Sequence, residues 1–152
     1  HTPGHMSNHH CYTFKEQNLL FSGDHVMGWN TTIVSPPDGN MREYLDSLRV
    51  CLERDEDLYL PGHGPEITDT KPFVRAYLNH RLMREGEIAK CLAEGLATIP
   101  EMVRRMYTHL PEKMHGAASR SVLAHMEHMV ETGRAECNGS VSANSSFSPG
   151  SG

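Results

Sequence analysis

The chain has 152 residues, is 38% hydrophobic and 7% aromatic, and carries a formal charge of −5. That length suits one domain or two small ones with a modest core. No stretch approaches the roughly 18 consecutive apolar residues of a membrane span, and the acidic balance argues against broad nucleic-acid binding, which depends on basic surface.

Charge is unevenly spread. Residues 1–70 hold 4 Lys/Arg against 11 Asp/Glu, and residues 71–152 hold 10 against 8. The shift predicts a domain boundary near residue 70. The four cysteines, Cys11, Cys51, Cys91 and Cys137, are scattered and form no C-x-x-C pair. They read as reduced thiols of a cytoplasmic protein.

In chain order, Cys11 to Lys15 and Leu19 to Ser22 predict two short strands joined by a tight turn over Glu16-Gln17-Asn18. Asp24 then falls just past the second strand. Residues 26–38 lack a clear period and close on Pro36-Pro37-Asp38-Gly39, which predicts a long loop near Asp24. Met41, Tyr44, Leu45, Leu48 and Leu52 make one apolar stripe, predicting a helix from about Met41 to Arg54. Leu58-Tyr59-Leu60 is a short strand, and Pro61-Gly62 forces the turn that presents His63. Strand, helix and strand in this order give an α/β layer.

From Lys71 the pattern is helical. Phe73, Val74, Tyr77, Leu78 and Leu82 open a helix reaching about Glu94, and Thr98 with Glu101 forms a capping box for a helix through Met106. A third helix covers roughly Ala117 to Thr132, with Gly133 as its C-cap. Residues 138–152 are rich in Ser, Gly and Asn, with two isolated large apolar residues, and 137–152 is predicted to be a disordered tail. His80, His109, His115, His125 and His128 are expected at solvated helix positions. Arg81, Arg84, Lys90, Arg104, Arg105 and Arg120 could line an RNA path or simply face solvent.

Three motifs carry chemistry: His1-Thr2-Pro3-Gly4-His5, Phe21-Ser22-Gly23-Asp24-His25 and Leu60-Pro61-Gly62-His63-Gly64. Each sets a metal-capable side chain beside a glycine at the end of an apolar segment, as enzymes do when ligands sit on loops at strand ends. No G-x-S-x-G, Walker loop or G-x-G-x-x-G competes with them.

In order and wording the motifs resemble the third, fourth and fifth motifs of the metallo-β-lactamase-fold hydrolases, and the helices after residue 71 resemble the winged-helix module of one branch. The earlier His-x-His-x-Asp-His motif is absent, and the chain opens inside a motif. The expectation is therefore the C-terminal half of an αββα sandwich over residues 1–70, followed by a winged-helix-like module over 71–136 whose wing is incomplete.

The resemblance implies two Zn²⁺ per intact site, with His5 on one metal, His63 on the other, and Asp24 as the catalytic, bridging carboxylate. It gives His9 and His25 a weaker claim, as supports of the ligands or substrate contacts. Met6 stands where the family usually has Thr. The implied reaction is attack of metal-activated water on an ester, thioester or phosphodiester. The implied partners are a small ester or thioester, or single-stranded RNA, and the chain alone is expected to be inactive. The alternative is a non-catalytic relic whose helical module binds a protein or RNA.

Overall fold

Tyr12–Phe14 (β1) and Leu19–Gly23 (β2) pair antiparallel, with Tyr12 opposite Phe21 and Phe14 opposite Leu19. The turn between them is a short 3-10 segment, Lys15–Gln17, closed by Asn18 at φ 50°. Asn is among the few side chains that tolerate that left-handed region. Leu58–Pro61 (β3) then lies parallel to β2, with Leu20 beside Tyr59 and Gly23 beside Pro61. The helix Met41–Leu52 (α1) falls between β2 and β3 in the chain, as a parallel pair requires. Asn40 caps α1 by accepting the Glu43 N–H at 3.0 Å.

The computed structural model describes residues 1–151, and its chain divides into two compact units at Arg81/Leu82. The first unit buries Met41, Tyr44, Leu45, Leu48 and Cys51 of α1 together with Leu20, Val26, Val34 and Tyr59. Cys51 takes the core position that the apolar stripe assigned to Leu52, which is only half-buried. The Tyr59 hydroxyl donates to the Cys51 carbonyl at 3.1 Å, tying β3 to the end of α1.

Strand alternation puts Tyr12, Phe14 and Phe21 on the other face of this sheet. There they are 66%, 46% and 47% exposed. An open aromatic strip of this kind marks a surface that seeks cover. The 152-residue chain should therefore self-associate as its concentration rises, and Phe21→Lys should suppress this in sedimentation velocity. Identical sedimentation of the two proteins would show that the strip does not drive association.

The helix Thr70–Ala93 (α2) runs unbroken for 24 residues, so the boundary between the units lies inside it, not near residue 70. Its first half belongs to the first unit because of specific anchors. Val74 is fully buried, and the Tyr77 hydroxyl donates to the Met27 carbonyl at 2.7 Å. The change in charge follows the composition of the helix and not its packing.

In the second unit, Ile99–Met106 (α3) opens on the expected cap, the Thr98 N–H donating to Glu101 Oε2 at 2.9 Å. His115–Glu131 (α4) follows, and Gly133 at φ 72° ends it with the Arg134 N–H on the Met129 carbonyl at 2.8 Å. Ile88, Ile99, Met102, Val122, Met126 and Met129 pack into its core.

Two expectations are corrected here. The described part of the tail is ordered: Ala135–Cys137 (β4) and Phe147–Pro149 (β5) pair antiparallel. Phe147 is 4% exposed within the core, and its N–H donates to the Ala97 carbonyl at 2.8 Å. One aromatic anchor thus closes a wing that the Ser/Gly/Asn-rich turn disguised. His125 and His128 are also not solvated. They face the buried carboxylate of Glu85, with Nδ1 atoms at 3.4 and 2.7 Å from Oε1, while Arg134 reaches Oε2 at 2.6 Å.

Candidate metal centre

β2 and β3 run parallel and end together, so the residues that follow them leave one edge of the sheet side by side. In open α/β sheets that carboxyl edge is where sites form. Asp24 follows β2 and His63 follows β3, and the Gly62 N–H donates to the Gly23 carbonyl at 2.8 Å to bind the two turns. Glycine at position 62 leaves room for the Asp24 carboxylate, because a Cβ there would lie 2.5 Å from Asp24 Oδ1 and displace it. Gly4, at φ 123°, lets the first motif pass against the start of α1, where any Cβ would meet Tyr44 N at 2.2 Å. The Gly4 carbonyl accepts the Asn40 N–H at 2.9 Å and the Pro3 carbonyl accepts from Ser47 at 2.8 Å, which fixes His5 in place.

The structure brings together the three side chains that the motifs single out. His5 Nε2 lies 3.8 Å from Asp24 Oδ2, and His63 Nε2 lies 3.7 Å from Asp24 Oδ1. One imidazole therefore addresses each carboxylate oxygen. These separations exceed a hydrogen bond. They are close to the roughly 3.3–3.4 Å between two ligands that share a tetrahedral cation at 2.0–2.1 Å. Among the described residues no three His, Cys, Asp or Glu side chains close into a ready-made cage. The arrangement is instead one carboxylate flanked by two imidazoles.

Hydrogen bonds set the tautomers. His5 Nδ1–H donates to the Ile33 carbonyl at 2.6 Å, leaving the Nε2 lone pair toward Asp24. This is the kind of outer bond that orients a metal-binding histidine. His9 lies behind Asp24. The Asp24 N–H donates to His9 Nε2 at 3.2 Å, so His9 Nδ1–H donates to Thr2 Oγ1 at 3.0 Å, and the Thr2 hydroxyl donates to Cys11 Sγ at 3.3 Å. Burial, aided by His5, holds the His9 pKa below the ordinary imidazole value and keeps it neutral for this relay.

His25 is fully buried, edge-on to Tyr44 at 4.8 Å between ring centroids. Burial, reinforced by His9, pushes its pKa down to about 3. It packs inside the unit. Ser22 is buried too, its hydroxyl donating to the Val26 carbonyl at 2.8 Å.

Sequence reasoning placed the stretch after Asp24 near the site but missed what holds it. The Gly28 N–H donates to the His63 carbonyl at 2.8 Å, and the Thr32 hydroxyl donates to the Asp24 carbonyl at 2.7 Å. The Tyr77 hydroxyl sits between the carbonyls of Met27 and Asn30. Arg81 Nη2 donates to the Thr32 carbonyl while its guanidinium lies 5.2 Å over the Tyr44 ring. Arg81 is 3% exposed, so it leaves the set of residues that could line an RNA path. Arg84 and Arg105 pair with Glu87 and Glu94.

Residues 1–63 match the model of the metallo-beta-lactamase superfamily, and residues 98–143 that of the beta-lactamase associated winged helix domain. An atrochrysone carboxyl ACP thioesterase of Aspergillus chevalieri is 31% identical over 120 residues, covering 74% of this chain and 38% of its own length. A beta-lactamase-like protein 2 homolog of Caenorhabditis elegans is 31% identical over 136 residues, covering 89% and 45%. The chain thus spans less than half the length of these relatives. The structure of a beta-lactamase domain protein from Burkholderia ambifaria superimposes with a TM-score of 0.85 over 97% of this chain and 46% of that one. At 23% identity that likeness is one of fold. No helix of the described residues is long and apolar enough to cross a membrane.

Proposed function

We propose, for a chain that belongs to the metallo-β-lactamase superfamily and carries its associated winged-helix domain, that His5, Asp24 and His63 are metal ligands of a hydrolytic centre acting on an ester or thioester. The observation that carries this reading is the seating of Asp24 between two imidazoles, one on each oxygen. The donor set fits zinc, which takes neutral imidazole and carboxylate. A pair of divalent cations held there would acidify a water toward neutral pH and polarise the carbonyl under attack.

The chain's own residues supply placement. His5 offers a lone pair of fixed direction, because Ile33 holds its other nitrogen. Asp24 offers both oxygens, because the His9 relay holds its backbone and Gly62 leaves room for its side chain. His63 is the most open of the three, with a side chain 59% exposed. Two four-coordinate sites need about eight ligand positions. With Asp24 counted at both, these three residues fill four, and solvent or other ligands fill the rest. The thioesterase among the relatives supports the acyl chemistry.

The test is zinc affinity by competition with a chromophoric chelator. His5→Ala and His63→Ala should each weaken one site by tenfold or more and leave the other. Unchanged affinity in both variants would overturn the assignment. It would favour the non-catalytic alternative, a relic whose winged-helix domain binds a protein or RNA.

A further inference from the structure

The stretch from Asp24 to Val34 exposes two large apolar side chains beside the two histidines. Trp29 is 67% exposed and Ile33 70% exposed. The Trp29 ring lies parallel to His63, at an interplanar angle of 5° with centroids 6.4 Å apart. Ile33 supplies the carbonyl that His5 Nδ1–H grips at 2.6 Å, so its side chain projects from a backbone bonded to that candidate ligand. Exposed apolar side chains on a slack loop mean little. This segment is not slack: Thr32, Tyr77 and Arg81 and the Gly28–His63 bond hold it from four directions. The apolar groups are held in place at the centre before anything binds.

We propose that Trp29 and Ile33 form a preorganised apolar rim that receives the acyl portion of the ester or thioester, with Trp29 setting selectivity for large acyl groups. The proposal rests on reading His5, Asp24 and His63 as the hydrolytic centre, and it deepens that reading by naming the substrate class. An exposed tryptophan can also stack on a nucleobase, but the surrounding charge opposes that occupant. Residues 1–14, 24–40 and 60–70, which build the site, contain no Lys or Arg and include Asp38, Glu66 and Asp69 beside Asp24. A single-stranded nucleic acid needs a basic groove to track its phosphates, and a neutral acyl chain needs none. An aliphatic Ile33 and an aromatic Trp29, both exposed on the same anchored segment, suit a hydrocarbon.

Trp29 is the only tryptophan in the chain, so its emission reports this site alone. The 152-residue chain is titrated with non-hydrolysable cysteamine thioethers bearing a two-carbon or an eight-carbon chain, with an oligouridylate, and separately with Zn²⁺. The eight-carbon thioether should shift the emission to the blue and shield it from acrylamide, and the two-carbon thioether should do neither. By calorimetry, Trp29→Ala should weaken the eight-carbon thioether about tenfold, and Trp29→Phe should weaken it no more than about twofold. Equal responses to the two thioethers, or a response to oligouridylate in place of them, would overturn the rim. Zinc is scored apart: an eight-carbon response in a chain whose zinc affinity is unmoved by His5→Ala and His63→Ala removes the hydrolytic centre and leaves the rim, whereas zinc affinity that falls in those variants, without any thioether response, removes the rim and leaves the centre.

Discussion

In the whole metal-loaded enzyme, of which these residues form one part of the site, Asp24→Asn should cut hydrolysis at least about a thousandfold, or about 4 kcal/mol of transition-state stabilisation. The substitution keeps the shape of the side chain and turns one oxygen into an NH₂ group. Each Asp24 oxygen faces its own imidazole, Oδ2 toward His5 at 3.8 Å and Oδ1 toward His63 at 3.7 Å. An amide can present an acceptor to one side only, and its NH₂ would donate to the other imidazole's lone pair and take that ring out of ligation. One of the two half-sites is then lost whichever way the amide turns. Gly62→Ala probes the same geometry with all three ligands kept. The new Cβ would stand 2.5 Å from Oδ1, forcing the carboxylate away from His63, so zinc should be lost first on that side. Full activity with two zinc ions bound to the Asn variant would sink the bridging role.

The sheet edge was legible because its signals are local. Each short apolar run ends on glycine, and the glycines at 4, 23 and 62 stand where the backbone must pass close to another group. The proximity of Asp24 and His63 follows once β2 and β3 are parallel neighbours, with the connecting helix between them, while His5 is brought there by the packing of Pro3 and Gly4 against α1. What fixes the Asp24–Val34 segment was not legible. Its anchors, Tyr77 and Arg81, lie about fifty residues downstream on a helix whose periodicity says nothing of their partners.

The wing failed for a related reason: nine turn residues of Ser, Gly, Asn, Ala and Val between β4 and β5 look structureless, and only the burial of Phe147 reveals the hairpin. His125 and His128 were misjudged because polarity was taken for exposure. Periodicity locates the apolar face of α4, but it cannot show that a carboxylate on α2 waits beside that face.

That carboxylate gives the second large effect. Glu85→Gln should destabilise the second unit by about 2–4 kcal/mol at neutral pH. Glu85 is 2% exposed, and its oxygens accept from Arg134 at 2.6 Å, His128 at 2.7 Å and His125 at 3.4 Å. These bonds join α2, α4 and the residue that opens the wing. Burial pushes the Glu85 carboxyl up, but the bonds from His125, His128 and Arg134 outweigh it and hold the pKa well below the ordinary carboxylate range.

Gln keeps the volume and loses the charge, turning one accepting oxygen into a donor that faces donors. The loss stays below the full cost of a broken buried pair because the Arg134 side chain is 41% exposed and can rehydrate. The sign with pH follows from the depressed pKa. The stabilisation is complete above the unfolded-state value near 4.5 and is lost as pH falls below it toward the native value. Urea midpoints of the two proteins should therefore differ most at neutral pH and converge in acid. Glu85→Leu combined with Arg134→Leu should cost less than the two single changes together, since removing both partners leaves no uncompensated charge. Parallel midpoints from neutral pH into acid would show that the charge of Glu85 does not hold the wing to the helices.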